Sequence, residues 1–516
     1  MRMPTARRRA ATIGVVAVAV AAATSAGTAA AKAPSTVTGK TSVATTYTAY
    51  LTTTDVGEPT IGFDTARNAA VYGAGTQNVR LTWNDATVPA TMTVEDASAT
   101  TSLTSLDAIT FTDQHTNRTF VSQLAAACSL FSYSDDAGRT WMPGQGCGVG
   151  TVLDHQTVGG GPFHAGSPVL PLTAYPDAVY YCAQDAYNGG CAVSQDGGLT
   201  FGTVVPAYNS AANDPDDPDP TIAAEGGACS ALHGHLRVGP DGTAYLPIKG
   251  CGGTATVDNL SNTEFFGGHP SVSVSKDNGL TYLVHRVDAG DNSDESDPSV
   301  APGRGDRFPG GRVYLGWEDG TNPSATTYGT TSAAKIAVST DDGTTWSAPV
   351  DVSTPLGIHN VQFPEVIAGD DDRAAFAWLG TTAVGDDQHN GFVGPDGNPA
   401  VWHLYISTTY DGGATWSTVD ATPNDPVQRG CVDLQGVSNK TATDPDICSQ
   451  RNLLDFNDIT LDRQGRVLVA FADGCTGGCV TDPTVLSTGA TGTVMRQTTG
   501  KGLYAAFDGV IGKKQR

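Results

Sequence analysis

The stretch Ser339-Thr340-Asp341-Asp342-Gly343-Thr344-Thr345-Trp346 reads as a tight turn that sends an aromatic ring back into a core. The carboxylate of Asp341 can accept backbone N–H bonds across the turn, and Gly343 supplies the positive φ that a tight hairpin demands. The alternating run Ala334-Lys335-Ile336-Ala337-Val338 leads into it as a strand. The same Ser/Thr-x-Asp-x-Gly-x-Thr-aromatic pattern recurs from Ser134 to Trp141, Ser194 to Phe201, Ser275 to Tyr282 and Thr409 to Trp416. Successive turn aspartates lie 60, 81, 64 and 70 residues apart, so each turn belongs to one copy of a repeating unit. A hairpin brace recurring once per unit is a folding device, and no catalysis is assigned to its aspartates.

A second periodic element precedes the turns and reads as the innermost strand of each unit. Its starts are Gly57 to Gly62, Leu106 to Phe111, Asp154 to Val158, His233 to Val238, Asp297 to Val300, Phe363 to Ile367 and Asp455 to Ile459. Most are followed by a second apolar run, as in Arg312 to Trp317, Ala374 to Trp378 and Arg466 to Phe471. With the hairpin added, each unit is a four-stranded meander, and the fold class is an all-β propeller of seven blades, with six as the alternative. The first and last units lack the turn motif. In the last, a Gly/Thr-rich insertion near 474–500 precedes Gly502 to Phe507, and the Thr-rich N-terminal stretch is free to lend a strand that closes the ring. A pair of β-sandwiches would leave the recurring brace unexplained.

The five turns resemble the Asp box, or BNR repeat, of the sialidase-like β-propeller families. That resemblance covers residues 57–509 and implies that each turn joins the two outer strands of a blade, away from the active site. It also implies exo-alpha-sialidase-like glycoside hydrolysis, in which three arginines hold the substrate carboxylate and the first lies in a Phe/Tyr-Arg-Ile-Pro motif. This sequence contains no Arg-Ile-Pro, and the arginines open to such a role are Arg237, Arg429 and Arg451.

Outward from the propeller, residues 1–33 read as a signal peptide. Arg2, Arg7, Arg8 and Arg9 precede an apolar run from Ile13 to Ala23, followed by small-residue cleavage sites at 29–33. A Thr/Ser-rich segment, 34–56, and a basic tail, 510–516, flank the propeller, and the expected location is secreted and extracellular. Ten cysteines fit that compartment and fall into close neighbours: Cys128/Cys147, Cys182/Cys191, Cys229/Cys251, Cys431/Cys448 and Cys475/Cys479. With 53 acidic against 29 basic residues and a formal charge of −24, the 516-residue chain lacks the clustered cations that nucleic acid or an anionic membrane surface requires. The expected partner is an extracellular glycan or glycoconjugate, and the chain is expected to be a monomer.

In a propeller the inner strands surround a central channel, so polar residues at their starts converge on one mouth. Asp154, His155, His233, His235, Arg237, Asp297, Glu365 and Asp458 are the candidate catalytic residues, with Glu58, Asp107 and Asp455 beside them. Converging carboxylates are what glycosidic cleavage needs, one as proton donor and one to stabilise a cationic transition state or activate water. His233 and His235 sit at i and i+2 of a strand, on one face, and Arg237 would share it. The leading reading is therefore a glycoside hydrolase, with a non-catalytic glycan- or protein-binding propeller as the alternative and a metal-dependent lyase using the two histidines as a third. No cofactor is required. Acidic loops at 214–219, 291–297 and 370–372 leave calcium or another divalent cation open.

Overall fold

The computed structural model describes residues 44–512 apart from 100–104, 106, 126–127, 146–153, 185–187, 210–228, 230–231, 252–255, 258–264, 267, 289, 291–292, 294–295, 321–330 and 435–447. The signal segment, Cys147 and the loop at 214–219 lie outside the described residues. Among the described residues seven antiparallel sheets, each built on a four-stranded path, make up the fold, with a two-stranded ribbon of Thr256–Val257 and Phe265–Phe266 beside them. Their inner strands are Thr60–Asp64, Ala108–Asp113, Asp154–Pro162, Arg237–Val238, Ser299–Pro302, Asn360–Ala368 and Asp458–Leu461, here blades 1 to 7. Each inner strand touches the next all the way round, the seventh meeting the first, so the chain is a seven-bladed propeller rather than a six-bladed one. Among the described residues no helix is long and apolar enough to cross a membrane.

The second strand of a blade is covered on both faces by the neighbouring blades, which is why it reads as an almost unbroken apolar run. Ala244–Cys251, Val313–Gly320 and Ala374–Thr381 are buried along their whole length. The large rings Trp317, Trp378 and Trp402 fill the space between sheets, and Trp378 stacks on Tyr405 at 4.6 Å between centroids.

The five repeat turns share one geometry and one place, between the third and fourth strands of blades 2 to 6. In blade 5 the Ser339 hydroxyl donates to Asp341 (2.8 Å) and accepts from the Gly343 amide (3.0 Å), while Asp341 accepts from the Thr345 amide (2.9 Å) and hydroxyl (2.6 Å). Gly343 has φ 78°, and a Cβ there would stand 3.3 Å from the Tyr245 ring of blade 4. The turn glycines of blades 2, 3, 4 and 6 meet Val71, Phe120, Tyr180 and Tyr314 of the preceding blade in the same way. The motif is thus an interblade contact as well as a hairpin brace. Four of its carboxylates, Asp136, Asp196, Asp341 and Asp411, have pKa values held below 3.8 by these hydrogen bonds, against burial for the first three; in Asp411 the Thr415 hydroxyl bond is the largest cause. A depressed folded-state pKa contributes stability above the unfolded value and loses it as pH falls through the folded one. Unfolding free energy is accordingly expected to drop as pH is lowered from 3.8, and Asp341→Ala, costing about 1 kcal/mol at pH 7 as a lost cap does, should flatten that slope in urea titrations.

Blade 7 is built from both ends of the chain. Thr46–Asp55 pairs antiparallel with Thr491–Thr499, which pairs with Val467–Asp473. The Thr-rich segment does lend the closing strand, but the third strand is Thr491–Thr499, within the stretch read as an insertion. Gly502 to Phe507 is no strand: it folds against the end of the blade and contains a short 3-10 turn, Ala505–Phe507. Among the described residues four disulfides are formed, Cys182–Cys191, Cys229–Cys251, Cys431–Cys448 and Cys475–Cys479, which fits an oxidising compartment.

Candidate functional site

Three of the inner strands begin with a backbone irregularity. Register shifts fall between Asp154 and Thr157 and between Gln362 and Glu365, and His155, Phe363 and Glu58 have positive φ of 48°, 55° and 52°. Bulges of this kind re-aim a side chain at the end of a strand. Here they turn His155 and Glu365 toward the channel axis.

Asp458, at the head of the blade 7 strand, ties three blades together. One of its oxygens accepts from the Ile61 amide of blade 1 (2.8 Å), and the other from its neighbour Ile459 (2.8 Å) and from the Arg237 guanidinium of blade 4 (3.0 Å). The His235 imidazole lies 3.6 Å from it and packs edge-on against Phe456 at 4.9 Å. Glu365 of blade 6 accepts a 2.9 Å bond from the Ser299 hydroxyl of blade 5. Donor atoms of His235, Glu365 and Asp458 lie within 4.8 Å of one another, and all three residues are buried.

The two carboxyls are driven in opposite directions. Burial, reinforced by the neighbouring Asp458 carboxylate, pushes Glu365 well above 4.5 and so favours its protonated form. Burial also acts to raise Asp458, but the bond to His235 and the charge of Arg237 outweigh it and leave Asp458 ionised. Pairs of titratable groups set apart in this way are the usual signature of an acid and its charged partner. The same three donors could cradle a cation. Asp458, however, already accepts from a guanidinium and two amides and Glu365 from a hydroxyl, a donor set that suits a held proton better than a metal ion.

A second dyad lies beside it. His155 Nδ1 is 3.0 Å from the Asp297 carboxylate, which burial would raise but His155 holds below 3.8. His155, Glu58, Asp107, Gln156, Asp455 and Phe456 line a small hollow at the strand-start mouth. The Arg451 side chain reaches it, bonded to Asp455 at 2.7 Å and to the Asp433 carbonyl at 3.0 Å.

Seven of the eight candidates from sequence therefore gather around the channel, while the side chain of Asp154 lies outside the described residues. His233 differs from its expected role. The regular strand starts only at Arg237, so the alternation that paired His233 with His235 does not apply. His233 donates from Nδ1 to the Gly234 carbonyl (3.0 Å), and burial lowers its pKa to about 4, which keeps it neutral. The acidic run at 370–372 is an interblade clamp: Asp371 accepts from the amides of Gly305, Arg307 and Phe308, and Asp372 pairs with Arg307 and Arg312. Ser299 and Phe456 belong to the site without having been singled out; Phe456 stands inside the Asp455-Phe456-Asn457-Asp458 run, where an aromatic between acids was the available signal. The three arginines are held by three different groups, Arg237 by Asp458, Arg451 by Asp455 and Arg429 by the Cys479 carbonyl (2.9 Å), and form no common carboxylate clamp.

No family model matches the chain, and no curated protein matches it. Solved structures with a similar fold include the PL25 ulvan lyase bound to its saccharide, at 11% identity over 89% of this chain and 96% of that one, with a TM-score of 0.43. Another is the GH93 α-L-arabinofuranosidase of Fusarium graminearum with arabinobiose, at 12% identity over 76% and 92% and a TM-score of 0.37. A Hadza microbial sialidase aligns at 14% identity over 86% of this chain and 66% of that one, with a TM-score of 0.32.

Proposed function

We propose that this propeller acts on a neutral extracellular glycan as a glycoside hydrolase, with Glu365 as the proton donor and Asp458 as the charged partner. The observation that carries the reading is the pair itself: two buried carboxyls side by side, one pushed toward its protonated form and the other toward its ionised form by the groups around them. Arg237 and His235 position Asp458, and Phe456 packs against His235 while the His155–Asp297 dyad supplies a second paired carboxylate nearby. A separation below 4.8 Å leaves no room for the water that inverting pairs hold between carboxyls roughly 6.5–9.5 Å apart, so the reaction is proposed to retain anomeric configuration. The acidic entrance, formed by Glu58, Asp107 and Asp455, opposes sialic and uronic acids, and the arginines that would offset their charge are otherwise engaged.

The test is release of reducing sugar from a panel of neutral, uronate-containing and sialylated polymers by the purified protein, with and without EDTA. Turnover of a neutral glycan, unchanged by EDTA, is the expected result. Turnover restricted to anionic polymers, or abolished by EDTA and restored by a divalent cation, would overturn the assignment. A second reading, a non-catalytic glycan-binding propeller, is favoured by the way Asp458 is already bonded within the fold; saturable binding of a glycan with no turnover of any polymer would establish it.

A further inference from the structure

From Asp458, His235 and Arg237 the channel continues to the opposite face, where the repeat turns lie. There it widens into a cavity of about 860 Å³, within the range of small-molecule sites. Its walls are Ile61, Ile109, Val158 and Ile367, with the bare backbone of Gly160 and Gly161, and its rim carries the rings of Tyr504 and Phe507. The charges on this lining invert those of the whole protein. In a chain with 53 acidic and 29 basic residues, the cavity is faced by Arg237, Arg304 and Arg463 against only Asp113 and Asp458.

One acid is paired with a cation, and the other is held against the cavity wall by neutral donors. Asp458 is bonded to Arg237, and Asp113 accepts from the Tyr175 and Thr116 hydroxyls at 2.7 and 2.6 Å and from the His115 amide at 2.9 Å. Two cations, by contrast, are available at the rim. Arg463 is exposed and makes no ion pair among the described residues. Arg304, exposed, lies over the Tyr504 ring at 4.6 Å and has only a 3.4 Å contact to Asp370 at the surface. Guanidinium groups bind phosphate and sulfate oxygens through paired N–H donors, and aromatic rings beside apolar walls suit the faces of a sugar. The two ends of the channel are thus of opposite character, acidic at the strand starts and basic at the strand ends.

We propose that the repeat-turn end of the channel is a second binding site, for a monosaccharide-sized anion such as a phosphorylated or sulfated sugar, held at its anionic group by Arg304 and Arg463 and at its ring by Tyr504 and Phe507. The inner end of this cavity is lined by Asp458, His235 and Arg237 of the site above, while the contacts proposed here lie at its outer rim and need no glycan cleavage. Isothermal titration of the full secreted protein with glucose 6-phosphate, glucose and inorganic phosphate tests it, in the parent and in Arg463→Ala and Arg304→Ala. Both substitutions are at exposed side chains, and circular dichroism confirms that the variants remain folded. Binding of the sugar phosphate, little or none of glucose, weaker binding of free phosphate, and a loss of about tenfold in each variant are expected. No binding by the sugar phosphate, or equal affinity in parent and variants, would overturn the proposal. Free phosphate bound as tightly as the sugar phosphate would overturn the part assigned to the rings.

Discussion

Glu365→Gln is expected to lower glycan turnover by about 10²–10⁴-fold, the usual contribution of a positioned acid, while making the protein no less stable at pH 7. The two halves of this result come from one cause. Glu365 is buried and its pKa is raised in the fold, whereas in the unfolded chain it ionises near 4.5. A carboxyl whose folded pKa is raised favours the folded state less and less as pH climbs from the unfolded value toward the folded one. Glutamine has no proton to lose, keeps the acceptor oxygen for the Ser299 hydroxyl, and removes that pH-dependent cost. The variant should therefore equal the parent in urea midpoint below pH 4 and match or exceed it at pH 7. A purely structural Glu365 would give the stability change without the kinetic one.

The pH profile follows from the same pair. Turnover requires Asp458 ionised, so it declines on the acid side as pH falls toward the lowered pKa of that group. It also requires Glu365 protonated, so it declines on the alkaline side as pH rises through the raised one. Glu365→Gln should remove the alkaline limb from whatever activity remains. Asp458→Asn is a harsher change, since it leaves the Arg237 guanidinium buried beside a neutral amide. Full retention of turnover in Glu365→Gln would end the assignment of the acid.

The repeat turns were legible because their chemistry is local: Ser, Asp, Gly and Thr within seven residues make every bond that shapes the hairpin. Inner-strand starts were legible for a similar reason, as short polar-to-apolar transitions at regular spacing. From those starts, Glu365, Asp458, His235 and Arg237 could be named, although nothing in their spacing shows that Asp458 bonds to residues 221 and 397 positions away. The grouping of His155 with Asp297 is likewise long-range, 142 residues apart. The third strand of blade 7 was missed because Thr491–Thr499 is rich in Thr and Gly, with Val494 and Met495 as its only large apolar residues. It is a strand because Thr46–Asp55 and Val467–Asp473 pair with its two edges, a decision made by the two ends of the chain together. The opposite character of the far end of the channel was not visible either, since Arg304 and Arg463 belong to turns in different blades.

Asp462→Ala is expected to cost about 3–5 kcal/mol, the range for breaking a buried ion pair from one side. Asp462 is fully buried where the last blade meets the first. One of its oxygens accepts from the Arg466 and Arg496 guanidiniums, each at 3.0 Å, and the other from the amides of Gln464 (2.8 Å) and Arg466 (3.0 Å). Asp85, at the end of the third strand of blade 1, takes the other side of Arg496 at 2.8 Å, and Trp83 lies against the same guanidinium. The network thus holds the closing blade to the first through side chains, where Thr46–Asp55 holds it together through its backbone. Alanine at 462 leaves two guanidiniums, each about 5% exposed, sharing one carboxylate, and strips two amides of their acceptor. An exposed pair of similar length supplies the control. Lys276 and Asp342 meet at 2.9 Å between blades 4 and 5 with side chains 46% and 33% exposed, and Lys276→Ala should cost less than about 1 kcal/mol because water and salt already screen the pair. Urea midpoints of the two variants, measured with the disulfides intact, separate the effects of burial from those of bond length. Equal shifts would mean that the Asp462 network holds the seam between blades 7 and 1 no better than an exposed ion pair would.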